Sequence, residues 1–271
     1  MKLMITRIMS NIYWQEISSN WVIVPRNPIG IVHFLGGAFV GYLPHITYRL
    51  LLENLSAKGF IIIATSFLNS LDHITIAKQA LLDFDQALLY LQKKSVLGKA
   101  YLPIYGVGHS MGCKIHLLIG SLYKVDRVGN ILISFNNYAA SDAIPLVEKL
   151  NSNLNIEFTP TPQETQDLVH ENYNIRRNLL IRFTHDTLDQ STILRKILQQ
   201  RFPEMLTAKT LQGNHFTPIN QDLSWKLGRE FNPLDAMGQW LRQEAYRDLN
   251  QLKYTINVWL NPLAIFSRKS L

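Results

Sequence analysis

The chain has 271 residues, 47% of them hydrophobic and 17% charged, with 14 Gly and 11 Pro spread along it. That balance builds a sizeable core and excludes disordered, collagen-like and low-complexity chains. Lys+Arg 27 against Asp+Glu 20 gives +7, but the charge is dispersed without a dense basic stripe, so a solvated basic surface is expected and a nucleic-acid partner is not.

The N-terminal stretch MKLMITRIMSNIYWQ lacks the apolar run of a signal peptide, and no segment reaches the roughly 18 to 20 apolar residues of a membrane span. The only cysteine, Cys113, excludes an intrachain disulfide, a CxxC redox site and a Cys-rich zinc site. The expectation is a soluble cytoplasmic protein in a reducing compartment. Two short strands are expected at Tyr13 to Ile17 and Trp21 to Val24, and Pro25 and Pro28 mark the turn after them. GIVHFL at 30 to 35 reads as a buried strand running into a Gly36-Gly37 loop, and a helix follows from Leu43 to Lys58, capped by Gly59. Strands at Phe60 to Ala64, Leu102 to Val107 and Asn130 to Ser134 then alternate with helices at Asp72 to Lys94 and Met111 to Tyr123.

Residues 135 to 177 break this rhythm with Asn136-Asn137, NSNLN and TPTP, and contain a helix from Gln163 to Glu171. They are expected to form a lid or insertion over a site at the carboxyl edge of the sheet. The alternation resumes with NLLIRF at 178 to 183, a helix at Ser191 to Arg201, a strand near Ala208 to Leu211 and a helix from about Pro233 to Val258. Strand then helix, repeated this often, predicts a single α/β domain over 1 to 271, with a mostly parallel central sheet and helices on both faces. The ending YTINVWLNPLAIFSRKSL has the composition of either a packed helix and tail or a peripheral membrane contact.

The most specific motif is Gly108-His109-Ser110-Met111-Gly112, a G-x-S-x-G at a strand-to-helix junction. There a tight turn forces the serine into a strained conformation and lifts its hydroxyl above the strand ends. Gly108 and Gly112 are expected because side chains at those positions would strike the neighbouring helix and strand. A dinucleotide loop is the competing reading of the same stretch, but Met111 stands where its third glycine should be, and no acid ends the next strand.

A serine nucleophile needs a base and an orienting acid, in the chain order Ser, Asp, His for this architecture. His215, in GNHF after the last strand, is placed for the base. His33, His116, His170 and His185 lie in a buried strand, in helices or before the acid. Asp186 leaves the preceding strand directly and suits the acid, with Asp189 as the alternative, better read as the N-cap of the next helix. For the oxyanion, the donors expected are the backbone N–H of Met111 and that of Gly37 or Ala38. Cys113 reads as a buried, inert thiol. Asp83 and Asp85 point to different faces of one helix, and no metal-binding or phosphate-cradling motif is present.

By its strand order, GHSMG, the Asp186 loop and the His215 loop, the chain resembles the α/β-hydrolase superfamily. Through HFLGGAFVG, FDQAL, RNLLIRF followed by DTLDQS, and GNHFTP, it resembles more narrowly an uncharacterised α/β-hydrolase-like family of photosynthetic organisms. The resemblance implies the hydrolase fold, a cytoplasmic or chloroplast-type setting and no cofactor. Where many esterases begin the oxyanion loop His-Gly-Gly-Gly, this chain has Leu35 and Ala38 around the two glycines. The function expected is serine hydrolysis of an acyl ester or thioester, with a small-molecule acyl compound or lipid as substrate. The alternative is a non-catalytic member that binds a lipid or protein partner.

Overall fold

The computed structural model describes residues 13–38, 40–97, 101–140, 157–219 and 234–261. Eight strands form one sheet in the order β1-β2-β4-β3-β5-β6-β7-β8. They are β1 (Gln15–Ile17), β2 (Asn20–Ile23), β3 (Gly30–Leu35), β4 (Phe60–Thr65), β5 (Ile104–His109), β6 (Gly129–Ile133), β7 (Asn178–Phe183) and β8 (Leu206–Leu211). The β1–β2 hairpin adds to β4 antiparallel, and every pairing from β4 to β8 is parallel.

Because successive side chains of a strand alternate between faces, each strand supplies both layers of the core. One face carries Val32, Phe34, Ile62, Val107, Ile131 and Ile181. Over it lie α2 (Arg49–Ala57), through Leu51, Leu52 and Leu55, and the C-terminal helix α7 (Leu234–Leu260), through Leu249, Leu252, Ile256 and Trp259. The other face is covered by α3 (His73–Lys93), α4 (Met111–Leu122), α5 (Pro162–Asn172) and α6 (Ser191–Arg201). The inner parallel strands β3, β4 and β6 are buried along their whole length, as covering on both faces requires, whereas the edge strand β8 exposes Ala208 to Thr210.

Two differences from the sequence expectation bear on the site. The helix expected from Leu43 to Lys58 is broken: α1 (Pro44–Thr47) ends at Tyr48, whose φ of −115° and ψ of 17° separate it from α2. The apolar period runs through this break, while Thr47 turns its hydroxyl back to the carbonyls of Val40 and Leu43 and Tyr48 is fully buried. Strand β5 also runs two residues further than its glycine-rich sequence suggests, because the ladder continues on both sides, with Leu35 opposite Gly108 and His109 opposite Ile133.

Of the lid-like stretch expected at 135 to 177, residues 141–156 lie outside the described residues. Helix α5 packs Val169 against Cys113 and Leu117 of α4 and Leu194 and Leu198 of α6. The C-terminal stretch is helical to Leu260, with Trp259 buried against the sheet, and 262–271 lie outside the described residues. Among the described residues, no helix is long and apolar enough to cross a membrane.

Candidate active site

The strand order reverses beside β3, so the loops after β3 and β5 flank one crevice at the carboxyl edge, where α/β sheets bind ligands. Between β5 and α4 stands one residue, Ser110, with φ 55° and ψ −121°. This left-handed conformation is costly for a residue with a Cβ, on the order of 1–3 kcal/mol, and its surroundings enforce it. The Ser110 N–H donates to Ile133 O at 2.9 Å, and the Cys113 N–H donates to Ser110 O at 3.0 Å. A Cβ on Gly108 would lie 2.7 Å from the Cys113 nitrogen, and one on Gly112 would lie 2.1 Å from Leu35 O. Both glycines therefore permit a close approach of backbone to backbone at the turn.

His215 reaches this serine from the loop after β8: its Nε2 is 3.0 Å from Ser110 Oγ. On the other side of the ring, Nδ1 stands 3.1 and 3.0 Å from the two carboxylate oxygens of Asp186, on the loop after β7. A carboxylate only accepts, so Nδ1 carries the proton and Nε2 is left to accept from the serine hydroxyl. The two loops are tied together by the His185 N–H, which donates to Gly213 O at 2.9 Å. An Asx turn, Phe216 N–H to Asn214 Oδ1 at 2.9 Å, shapes the His215 loop. Burial pushes the Asp186 carboxyl up, but its polar surroundings, the hydrogen bond from His215 foremost, outweigh this and hold the group below its ordinary value. Ser110 and His215 are each only 8% exposed. Such a file can pass the serine proton to the imidazole as the oxygen attacks an electrophile.

Asp189 is turned to a different task. Its carboxylate accepts from the Ser191 N–H at 3.0 Å and from Ser191 Oγ at 2.7 Å. It thus caps the start of α6 from one residue before the N-cap, which is Gln190.

The oxyanion donors expected were the N–H groups of Met111 and of Gly37 or Ala38. Gly37 N–H is already engaged, donating to Tyr48 Oη at 2.8 Å. The amides of Ala38 and Met111 donate to no acceptor among the described residues. Tyr48 Oη in turn contacts His109 Nδ1 at 2.8 Å, and His109 Nε2 contacts His215 O at 2.9 Å. Neither residue carries a signal of this role in the sequence. His109 occupies the variable position of the motif, and Tyr48 was one more residue of an apparently continuous helix.

Other candidates are accounted for elsewhere. Cys113 is buried and donates Sγ–H to Ile133 O, and burial raises its thiol well above the ordinary value. Asp83 is buried and accepts from Gln79 Nε2 at 3.0 Å. No cluster of metal-ligating side chains occurs among the described residues.

The fold is shared with solved structures of low sequence identity. An esterase of Pyrococcus furiosus is 13% identical with a TM-score of 0.55, and 93% of each chain is covered. The Francisella virulence factor BioJ is 16% identical with a TM-score of 0.52, covering 86% of this chain and 84% of its own. The acylaminoacyl peptidase of Pyrococcus horikoshii is 15% identical with a TM-score of 0.52, covering 74% of this chain and 36% of its own. At such identities the likeness is one of fold. No curated protein matches by sequence. The model of the family described as protein of unknown function, DUF1350, spans residues 13–262, so the chain belongs to that family and builds it on the α/β-hydrolase fold.

Proposed function

We propose that the protein is a serine hydrolase acting on a small acyl ester, thioester or lipid. The observation that carries this reading is the Ser110, His215, Asp186 file, set on a serine held at φ 55°. Ser110 Oγ attacks the acyl carbonyl while His215 Nε2 takes its proton, and Asp186 stabilises the imidazolium that forms. The N–H groups of Met111 and Ala38 receive the developing oxyanion. Collapse of the tetrahedral adduct expels the alcohol or thiol, which takes the proton back from His215. Water, activated by the same imidazole, then releases the acid and restores the serine.

The esterase named among the structural neighbours makes an ester the first substrate class to test. No cofactor enters this sequence of steps. With p-nitrophenyl butyrate as substrate, Ser110→Ala is expected to lower kcat at least about 10³-fold with the fold intact by circular dichroism. Turnover unchanged in that variant would remove Ser110 from the reaction and the proposal with it.

A further inference from the structure

Three contacts around the β5–α4 turn that carries Ser110, the elbow, can be oriented without ambiguity. Gly37 N–H can only donate, so Tyr48 Oη accepts from it at 2.8 Å and its own proton is free to go to His109. His215 O can only accept, so the proton of neutral His109 sits on Nε2, 2.9 Å away. Nδ1 is then an acceptor, facing the Tyr48 hydroxyl at 2.8 Å. The result is one directed chain, Gly37 N–H to Tyr48 O–H to His109 Nδ1, continued by His109 Nε2–H to His215 O. It starts on the loop after β3, passes through the residue next to the serine and ends on the backbone of the residue facing that serine. Both side chains in it are buried, Tyr48 at 0% and His109 at 1% exposure.

We propose that Tyr48 and His109 are positioning residues: their relay locks the oxyanion loop and the His215 loop to the elbow, and leaves Ala38 N–H as the second oxyanion donor. This rests on the serine-hydrolase reading. The relay consumes the Gly37 amide, so the loop presents its next amide, while Gly37 itself is pressed against the elbow. A Cβ there would be 3.2 Å from Ser110 Cβ and 3.4 Å from both His109 Nδ1 and Tyr48 Oη. At the other end, the bond to His215 O fixes the backbone from which the imidazole reaches Ser110. Burial and the neighbouring His215 lower His109 to about 3, which keeps it in the neutral form that the relay requires.

The test uses the full chain with p-nitrophenyl butyrate and the variants Tyr48→Phe, His109→Leu, His109→Gln and Tyr48→Phe/His109→Leu. Each of Tyr48→Phe and His109→Leu is expected to lower kcat by about 10- to 100-fold, with KM within about twofold, because misplaced groups lose rate and not ground-state binding. The double variant is expected to be no slower than the worse single one, since the relay acts as a unit. His109→Gln, which keeps one acceptor and one donor, should recover part of the loss. If His109→Leu does not fold, Tyr48→Phe and His109→Gln carry the kinetic test.

A readout independent of turnover is nitrogen NMR of histidine-labelled protein. His109 is expected as a neutral ring with the proton on Nε2, and its Nδ1 signal should shift in Tyr48→Phe. Multiplicative losses in the double variant, losses confined to KM, or a proton on His109 Nδ1 would each overturn the relay. Undiminished turnover in Ser110→Ala would overturn the hydrolase reading instead, and the His109 tautomer would still decide whether the relay exists.

Discussion

Ser110, His215 and Asp186 come from three loops far apart in the chain, and their meeting depends on few atoms. His215 touches a carboxylate on one ring nitrogen and a hydroxyl on the other, so the choice of carboxylate is a sharp test at the residue scale. Asp186→Asn is expected to lower kcat by about 10²- to 10⁴-fold, because an amide does not hold the required imidazole tautomer. Asp189→Asn, which disturbs the cap at Ser191, is expected to cost about 1 kcal/mol of stability or less and to leave kcat within about threefold. Steady-state kinetics and urea unfolding of the pair separate the two, and the reverse pattern would make Asp189 the acid. The proximity of these residues was legible in the sequence because each lies within four residues of a strand end, and parallel strands place those ends together. Tyr48 and His109 were not legible. Their partners are the Gly37 amide and the His215 carbonyl, and backbone groups leave no mark in residue identity.

At the scale of elements, the turn from β5 to α4 is the most constrained feature. The N-terminus of α4 approaches β3 so closely that a methyl group at Gly112 meets a backbone oxygen, not a movable side chain. Gly112→Ala is therefore expected to destabilise the protein by about 1–3 kcal/mol or more, read as a lowered midpoint in urea. A midpoint unchanged by this substitution would contradict the packing described. Strand β7 and helix α6 coincide with the sequence expectation, since an apolar run bounded by polar turns and a clear helical period leave little choice. The segment from 43 to 58 departs from it because hydrophobic period reports which residues are buried and not whether the backbone is continuous: α1 buries Pro44 and α2 buries Leu51, Leu52 and Leu55, with the turn at Tyr48 between them.

For the whole molecule, the two-layered core encloses an unusual polar line. Arg127 donates to His116 Nδ1 and to His33 Nδ1, each at 2.7 Å, and its guanidinium lies 5.9 Å over the Phe84 ring. His33 also meets Thr65 Oγ1 at 3.0 Å, and Thr65 donates to Asn20 Oδ1 at 2.6 Å. Burial first, and then the Arg127 charge, push His33 and His116 well below the ordinary value of 6.5. The folded protein thus keeps both rings neutral, while the unfolded chain takes up protons on them once the pH falls below about 6.5. Stability is therefore full above that pH and lost progressively below it, by about 1.4 kcal/mol per pH unit for each ring. Urea unfolding at pH 7.5, 6.5 and 5.5 should show the fall, and a flat profile would contradict it. The sequence exposed His33 only as a residue in a buried strand and Arg127 only as one of 27 Lys and Arg. Their pairing spans 94 positions, a contact that no local pattern encodes.

An activated Ser110 attacks a fluorophosphonate probe, so covalent labelling of the purified protein reads its nucleophilicity without a chosen substrate. Covalent labelling is expected for the wild type, none for Ser110→Ala, and a rate lowered by orders of magnitude for His215→Ala. Folded wild-type protein that takes up no probe, or label retained in Ser110→Ala, would contradict it.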